Sequence, residues 1–411
     1  MHVLLVSEDL PVPTLGGAGK HAVLLGNTLR AAGHEVEMLG RLRAPGVEGD
    51  NDFEGPLHCA IDLAGTGWQE FRFGAFLPGR REHAARRVWQ AIRALGVERF
   101  DVVHYHGHLN ALGAIVPPEV PFVQTLHDQG SECLVMTRFR AGAPCTETDP
   151  RACAGCASAR PNTLQRLLSA AAARRLRRCS EEAFARHETV FVSEFLERRF
   201  VAHVQPERPL RAQVVHNFTD AARLAQALAR PLPAAPDARP VALLVGRVDA
   251  SKGFAEFLAA LPDAVLGRWR VRVVGAGPLL DALRARHAPR GVEFAGWLDQ
   301  QGTYRETAAA SLCIVPSLVE EACSTTLLEA LALGRPVLAL ARGSTPELAR
   351  YEREPGQLRL APTMAALVAA FAGLDAVPLP APAQVSDSAD VHRRLPALLS
   401  VYHAAGARAK S

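Results

Sequence analysis

The chain has 411 residues, 48% of them apolar and 21% charged, with a formal net charge of +4. That length exceeds one ordinary core and suggests two domains of about 200 residues each, with the composition of a soluble globular protein. No run of 18 apolar residues occurs, so no membrane span is expected, and the near-balanced charge gives no ground for a nucleic-acid partner.

The opening run Met1-His2-Val3-Leu4-Leu5-Val6 resembles a signal peptide only superficially. It has no basic stretch before it, and Glu8-Asp9 interrupts it, so it reads as a buried first strand and a cytoplasmic location follows as the default. Further strands are predicted at Val36–Gly40, Asp101–His106, Phe122–His127, Thr189–Ser193 and Gln213–Asn217. A second series follows at Val241–Gly246, Arg270–Gly275, Val292–Gly296, Leu312–Pro316 and Pro336–Leu340. Helical patterns lie between many of them, such as KHAVLLGNTLRAAG with Gly33 as its stop. Strands alternating with helices imply right-handed βαβ units and mostly parallel sheets. Between the two series lies ARPLPAAPDARP, with four prolines and the composition of a linker. The expected organisation is an α/β N-terminal domain over 1–228, a linker at 229–240, a second α/β domain over 241–390 and a C-terminal helix and tail over 391–411. Both domains read as doubly wound and Rossmann-like, facing across a cleft at the C-terminal ends of their strands. The tail could pack back on the first domain.

Within 160–178 there are six arginines and no acidic residue, in a run of good helix formers. It reads either as a solvated helix face or as a basic amphipathic helix lying on an anionic membrane surface. The second reading would place the protein peripherally on the inner face of the cell membrane.

The segment Ile314–Leu340 carries the densest chemistry. A strand ends at Pro316, a loop holds Glu320 and Glu321, and a helix is expected from about Ser324 to Leu333 with Gly334 as its stop. Ser324 and Thr325 are natural N-caps, and the positive helix end suits an anionic diphosphate. Glu329, about a turn into that helix, could accept hydrogen bonds from the two hydroxyls of a ribose. Arg247 and Lys252 flank a strand-to-helix turn, where two cations suit a diphosphate leaving group. Gly275 and Gly277 occupy another such turn, where small residues let the backbone approach a ligand.

The run GRxxxxKG at 246–253, the GxGP at 275–278 and the Glu-x7-Glu at 321–329 resemble the family-4 glycosyltransferases of the GT-B fold. The resemblance implies transfer of a sugar from a nucleoside diphosphate sugar to an acceptor hydroxyl, usually with retention of configuration and without a catalytic metal. By that resemblance Arg247 and Lys252 bind the diphosphate, Glu329 the ribose and Glu321 the transferred sugar, while Trp297 borders the base. It implies a role in polysaccharide biosynthesis, with a glycan, a lipid-linked glycan or a small molecule as acceptor. One departure is that Ala322-Cys323-Ser324 stands where the family often has Gly-Phe-Gly.

The N-terminal half would supply the acceptor side. Gly16-Gly17-Ala18-Gly19 precedes a helix, and the family has a similar glycine pair near the donor phosphate. A P-loop is excluded, since Thr14 stands where its first Gly should be and His21 follows Lys20. A dinucleotide fingerprint fits 17–22 formally, but nine residues separate Gly17 from Ser7. His104, His106 and His108 sit at a strand's C-terminal end, as does His127-Asp128. His106 resembles a family histidine close to the reacting sugar. Alternation puts His104 and His106 on one side of the strand, and spacing alone also admits a three-histidine zinc site. Cys133, Cys145, Cys153 and Cys156 fall within 24 residues, a pattern suited to a structural zinc site, free thiols or a labile disulfide. An epimerase or hydrolase acting on nucleotide sugars is the alternative enzyme, and an NAD-dependent dehydrogenase the third.

Overall fold

The computed structural model describes residues 1–10, 17–42, 52–67, 74–232, 237–378, 382 and 384–409. Thr14 and Gly16, weighed above, and residues 233–236 of the expected linker lie outside the described residues.

The strands in chain order are β1 (His2–Val6), β2 (Glu35–Arg41), β3 (Leu57–Ile61), β4 (Val102–Tyr105), β5 (Phe122–Leu126), β6 (Phe139–Arg140), β7 (Ala143–Pro144), β8 (Glu188–Phe191), β9 (Ala212–Val214), β10 (Val241–Val245), β11 (Arg270–Val274), β12 (Glu293–Gly296), β13 (Leu312–Val315), β14 (Val337–Leu340) and β15 (Leu358–Ala361). Seven form one sheet in the order β3-β2-β1-β4-β5-β8-β9, six form another in the order β12-β11-β10-β13-β14-β15, and β6 pairs with β7. The strand pairs of both large sheets are parallel. In the first, Val3 lies between Val36 and Val102. Helices cover such sheets on both faces, so their central strands read as unbroken apolar runs rather than as alternation.

Each sheet has its own core. In the first, Leu4, Val6, Tyr105 and Phe122 pack with Val88 and Ile92 of the Arg80–Ala94 helix. In the second, Leu244, Val273, Ile314 and Leu338 pack with Phe257, Trp269 and Phe371. All eleven strands expected from the sequence are present, with ends shifted by up to three residues; β3, β15 and the β6–β7 hairpin are additional.

The chain divides into two compact units, Met1–Arg140 with Cys145–His216 and Arg394–Ser411, and Ala141–Pro144 with Asn217–Arg393. The division therefore falls ahead of the proline-rich segment rather than at 229–240. The reason is the Ala221–Leu228 helix, whose Leu224 and Ala227 are buried against Tyr304 and Ala308 of the second unit. The last helix, Val391–Ala409, returns from Arg394 onward to the first unit, where the Tyr402 hydroxyl lies 2.7 Å from His104 Nδ1.

The arginine-rich stretch opens the helix Thr163–Arg186, closed at its start by a capping box between Asn162 and Gln165. No helix among the described residues is long and apolar enough to cross a membrane.

Candidate functional site

In the second unit, two loops at strand C-terminal ends are bound together. After β10, Asp249 accepts hydrogen bonds from Ser251 N at 2.9 Å and Ser251 Oγ at 2.6 Å, and pairs with the largely exposed Arg247 guanidinium. The next residue, Lys252, places Nζ 2.6 Å from Glu321 Oε1 on the loop after β13. Ser317 Oγ donates to the same oxygen at 2.6 Å. Leu318 N and Val319 N both donate to Ser251 O, completing the join. Burial by itself would raise the Glu321 carboxyl's pKa; the Lys252 ammonium and the Ser317 hydroxyl more than offset it and hold the group below the usual carboxylate range.

Glycines make this joint possible. A Cβ on Gly253, which has φ 69°, would stand 2.1 Å from Pro316 O; one on Gly343, with φ 58°, would stand 2.3 Å from Glu321 O. Gly275 and Gly277, read from sequence as sites of ligand approach, are needed first for loop-on-loop packing. Their Cβ atoms would meet Gly246 O at 1.8 Å and Val248 O at 2.4 Å.

The helix after Glu321 runs from Thr325 to Ala332. Ser324 is its N-cap, accepting from Leu327 N, and Thr325 is its first helical residue rather than a cap. Glu329 lies half-buried in its second turn; burial chiefly, and the Glu329 charge next, push the Tyr304 phenol well above its ordinary pKa. Cys323 O, in the segment that departs from Gly-Phe-Gly, accepts from Asn217 Nδ2 at 2.8 Å. Trp297, just past β12, is 57% exposed and offers a free aromatic surface.

In the first unit, histidines from several elements meet at the ends of β4 and β5. His104 and His106 do share a side of β4, with ring centroids 4.0 Å apart. His106 lies 3.2 Å from His104 Nδ1 through Nε2 and 3.1 Å from His127 Nε2 through Nδ1. His21, from the helix Gly17–Ala31, brings its ring within 4.7 Å of that of His127. Gly17 opens this helix with open space where a Cβ would stand. The imidazoles that cluster at ion-binding distance are His21, His106 and His127, whose ligand atoms lie within 4.8 Å of one another. His108 is not among them: it pairs with Asp128 at 2.7 Å and with Asp9 at 3.6 Å.

Burial divides these rings electrically. It lowers the pKa of His104 to about 3 and of His127 to about 4, and it drives His106 well below its ordinary value. For His108 burial acts the same way, but the Asp128, Asp9 and Glu8 carboxylates outweigh it and hold the imidazolium well above the ordinary range. At neutral pH three imidazoles are therefore neutral and His108 is charged. Glu8 accepts from the Tyr105 hydroxyl at 2.8 Å and from His108 N at 2.7 Å.

Cys133, Cys145, Cys153 and Cys156 all line one pocket, and no disulfide joins them. Ser317, Gly343, His21 and the Asp9–His108–Asp128 arrangement were not singled out from sequence. Only Gly343 carried a sequence signal, as a glycine following a strand end.

The family model described as Glycosyltransferase Family 4 matches residues 15–223, half of the chain, and that described as Glycosyl transferases group 1 matches residues 239–374. Together with the two parallel α/β domains, these matches define a glycosyltransferase of the GT-B fold. Within that class, the chain belongs to glycosyltransferase family 4. It is 27% identical over 359 residues to glycogen synthase of Mycobacterium tuberculosis, covering 82% of this chain and 77% of that protein. Sucrose-phosphate synthase from Thermosynechococcus elongatus superposes with a TM-score of 0.61 at 17% identity, over 100% of this chain and 93% of that one. Anabaena HepE in complex with UDP and glucose gives 0.62 at 14% identity, over 98% and 100%.

Proposed function

We propose that this family-4 glycosyltransferase transfers a glycosyl group from a nucleoside diphosphate sugar to the hydroxyl of a glycan, a lipid-linked glycan or a small molecule, with retention of configuration. The observation that carries the reading is the Lys252–Glu321 pair, a cation beside a carboxylate on joined loops, with Arg247 on the same loop and the Ser324-capped helix following. A complex of HepE with UDP and glucose supports the choice of donor class.

In this reading Lys252, Arg247 and the helix start take the diphosphate, Glu329 the ribose hydroxyls and Trp297 the base, while Glu321 and His106 take sugar hydroxyls. The anomeric carbon–oxygen bond to the diphosphate breaks as a bond to the acceptor oxygen forms on the same face, and the acceptor proton passes to the departing phosphate oxygen. The two cations offset the charge that builds on the leaving group. No protein nucleophile and no metal take part in the steps as written. Gly17 would border the phosphate from the first unit's helix.

The test is a panel of nucleotide sugars incubated with and without lipid-linked and free glycan acceptors. Acceptor-dependent nucleotide release supports transfer. Release indifferent to acceptor favours a hydrolase or epimerase, and no release with any donor overturns the reading.

The helix Thr163–Arg186 supports a peripheral membrane contact on the cytoplasmic face. Leu164 and Leu167 are 64% and 55% exposed, and Arg166, Arg174 and Arg178 are exposed along the same helix. Binding to anionic liposomes that weakens with salt is the expected result, and salt-insensitive or absent binding removes it.

A further inference from the structure

Four cysteines that the transfer reaction does not use converge in the first unit. Cys133 follows β5, Cys145 follows the β6–β7 hairpin, and Cys153 and Cys156 stand three residues apart where the turn Pro150–Cys153 runs into the helix Ala154–Ala157. Residues three apart in a helical turn present their side chains to one face. The spacing C-x11-C-x7-C-x2-C thus folds into one pocket, with a volume of about 30 Å3 and all four cysteines in its wall. That space admits a single small ion or water.

Three features of the wall suit thiolates. Burial raises the pKa of the Cys133 thiol, and the backbone N–H groups of Val135 and Arg138 act against it by favouring the charged sulfur. The hairpin that carries Cys145 is closed by Cys145 N on Arg138 O at 2.5 Å and by Arg138 Nη2 on Cys145 O at 2.8 Å. Arg138, Arg140 and Arg177 border the pocket against Glu132 and Glu147, which leaves positive charge beside the sulfurs.

We propose that Cys133, Cys145, Cys153 and Cys156 bind one zinc ion as a closed, tetrahedral structural site that fastens the 133–156 segment to the end of β5. The step is Zn2+ plus four thiols giving a tetrathiolate–zinc centre of charge −2 and four released protons. The neighbouring arginines, in excess of Glu132 and Glu147 by one, offset part of that charge. With all four positions taken by sulfur, no open position remains for a catalytic water. No three of the sulfurs lie within 4.8 Å of one another, whereas a zinc–sulfur bond of about 2.3 Å sets tetrahedral sulfurs about 3.8 Å apart. Zinc binding therefore requires the cysteine side chains to rotate and the 145–156 segment to draw inward.

The test uses the full-length protein, purified without chelator or immobilised metal and analysed by plasma mass spectrometry. The expected result is about one zinc per chain, with a zinc-edge absorption spectrum of four sulfur neighbours at about 2.3 Å. Cys153→Ser and Cys156→Ser should each lose the zinc, while Cys59→Ser on β3 should keep it. If those variants do not fold, thiol titration of the native protein decides, since four further thiols should become reactive when a chelator strips the metal. Absence of zinc after growth in zinc-supplemented medium, iron in its place, nitrogen or oxygen neighbours, or a disulfide among the four would each overturn the proposal.

Discussion

Removal of the Lys252 ammonium separates chemistry from stability in the second unit. Lys252→Ala deletes the cation 2.6 Å from Glu321 Oε1 and leaves Ser317 Oγ as the hydrogen-bond donor to that oxygen. Breaking a fully buried ion pair costs about 3–5 kcal/mol, and an exposed one less than about 1 kcal/mol. With side chains 26% and 12% exposed, this pair lies between those limits, at about 1–2 kcal/mol after allowance for solvent screening. Burial then acts on the Glu321 carboxyl with less opposition, so its pKa rises. In the native protein a depressed carboxyl pKa stabilises above the unfolded value and loses that contribution as pH falls through the folded one; the variant should lose this acid-limb term. The effect on transfer is larger. Loss of one preorganised group that stabilises developing negative charge costs about 10²–10³ in kcat, or roughly 2.7–4 kcal/mol. Acceptor-dependent nucleotide release and urea unfolding, measured on the same preparations, compare the two effects. Near-normal turnover in the folded variant would sink the diphosphate assignment, and so would a rate loss fully accounted for by unfolded protein.

Stability should fall on acidification, because His104, His106 and His127 have folded pKa values below that of an unfolded histidine, about 6.5. The unfolded chain then binds more protons below pH of about 6.5, at a cost of up to about 1.4 kcal/mol per pH unit for each histidine, and His127→Gln should reduce the urea-measured slope by about one proton. His108 has the opposite sign: its contribution is complete below the unfolded pKa and fades as pH rises through its raised folded value, so His108→Asn should flatten the alkaline limb. Gly343→Ala should lower both activity and stability, the latter by at least about 2 kcal/mol, since the new Cβ meets the Glu321 backbone at a left-handed φ. Gly356→Ala, left-handed but with nothing within 4 Å, is its control and should cost only about 1 kcal/mol in thermal or urea unfolding. Tyr402→Phe removes the buried hydroxyl beside His104 and should cost about 1–2 kcal/mol by the same measurement.

The central strands were readable because burial on both faces leaves them unbroken apolar runs, as in the fully buried β4 and β14. The edge strands were not. In β3 only Ile61 is fully buried, and in β15 Arg359 and Leu360 are exposed, so neither segment carries the pattern of a covered strand. The division between the units falls at His216 and Asn217, ahead of the proline-rich segment. What assigns the Ala221–Leu228 helix to the second unit is the burial of Leu224 and Ala227 against residues some eighty positions later, which local composition does not encode.

The same distinction separates the candidate residues of the second unit from those of the first. Arg247, Lys252, Glu321 and Ser324 sit on strand-to-helix turns and Glu329 in the helix that follows, so each residue's place followed from its own neighbours. The histidine cluster joins His21 from a helix, His106 from the end of β4 and His127 from the end of β5, and only the first sheet's strand order brings them together. Sequence placed His108 with His104 and His106; the Asp9 and Asp128 carboxylates instead draw it into an ion pair. That difference bears on function. Both ring nitrogens of His106 already lie within hydrogen-bond distance of His104 and His127, so a sugar hydroxyl must displace one of those contacts, whereas an imidazolium would attract phosphate. Burial suppresses the cationic form of His106 in the first unit, while Arg247 and Lys252 supply fixed positive charge in the second. On the proposed reading, a neutral His106 would face a hydroxyl, and phosphate would be left to the two cations.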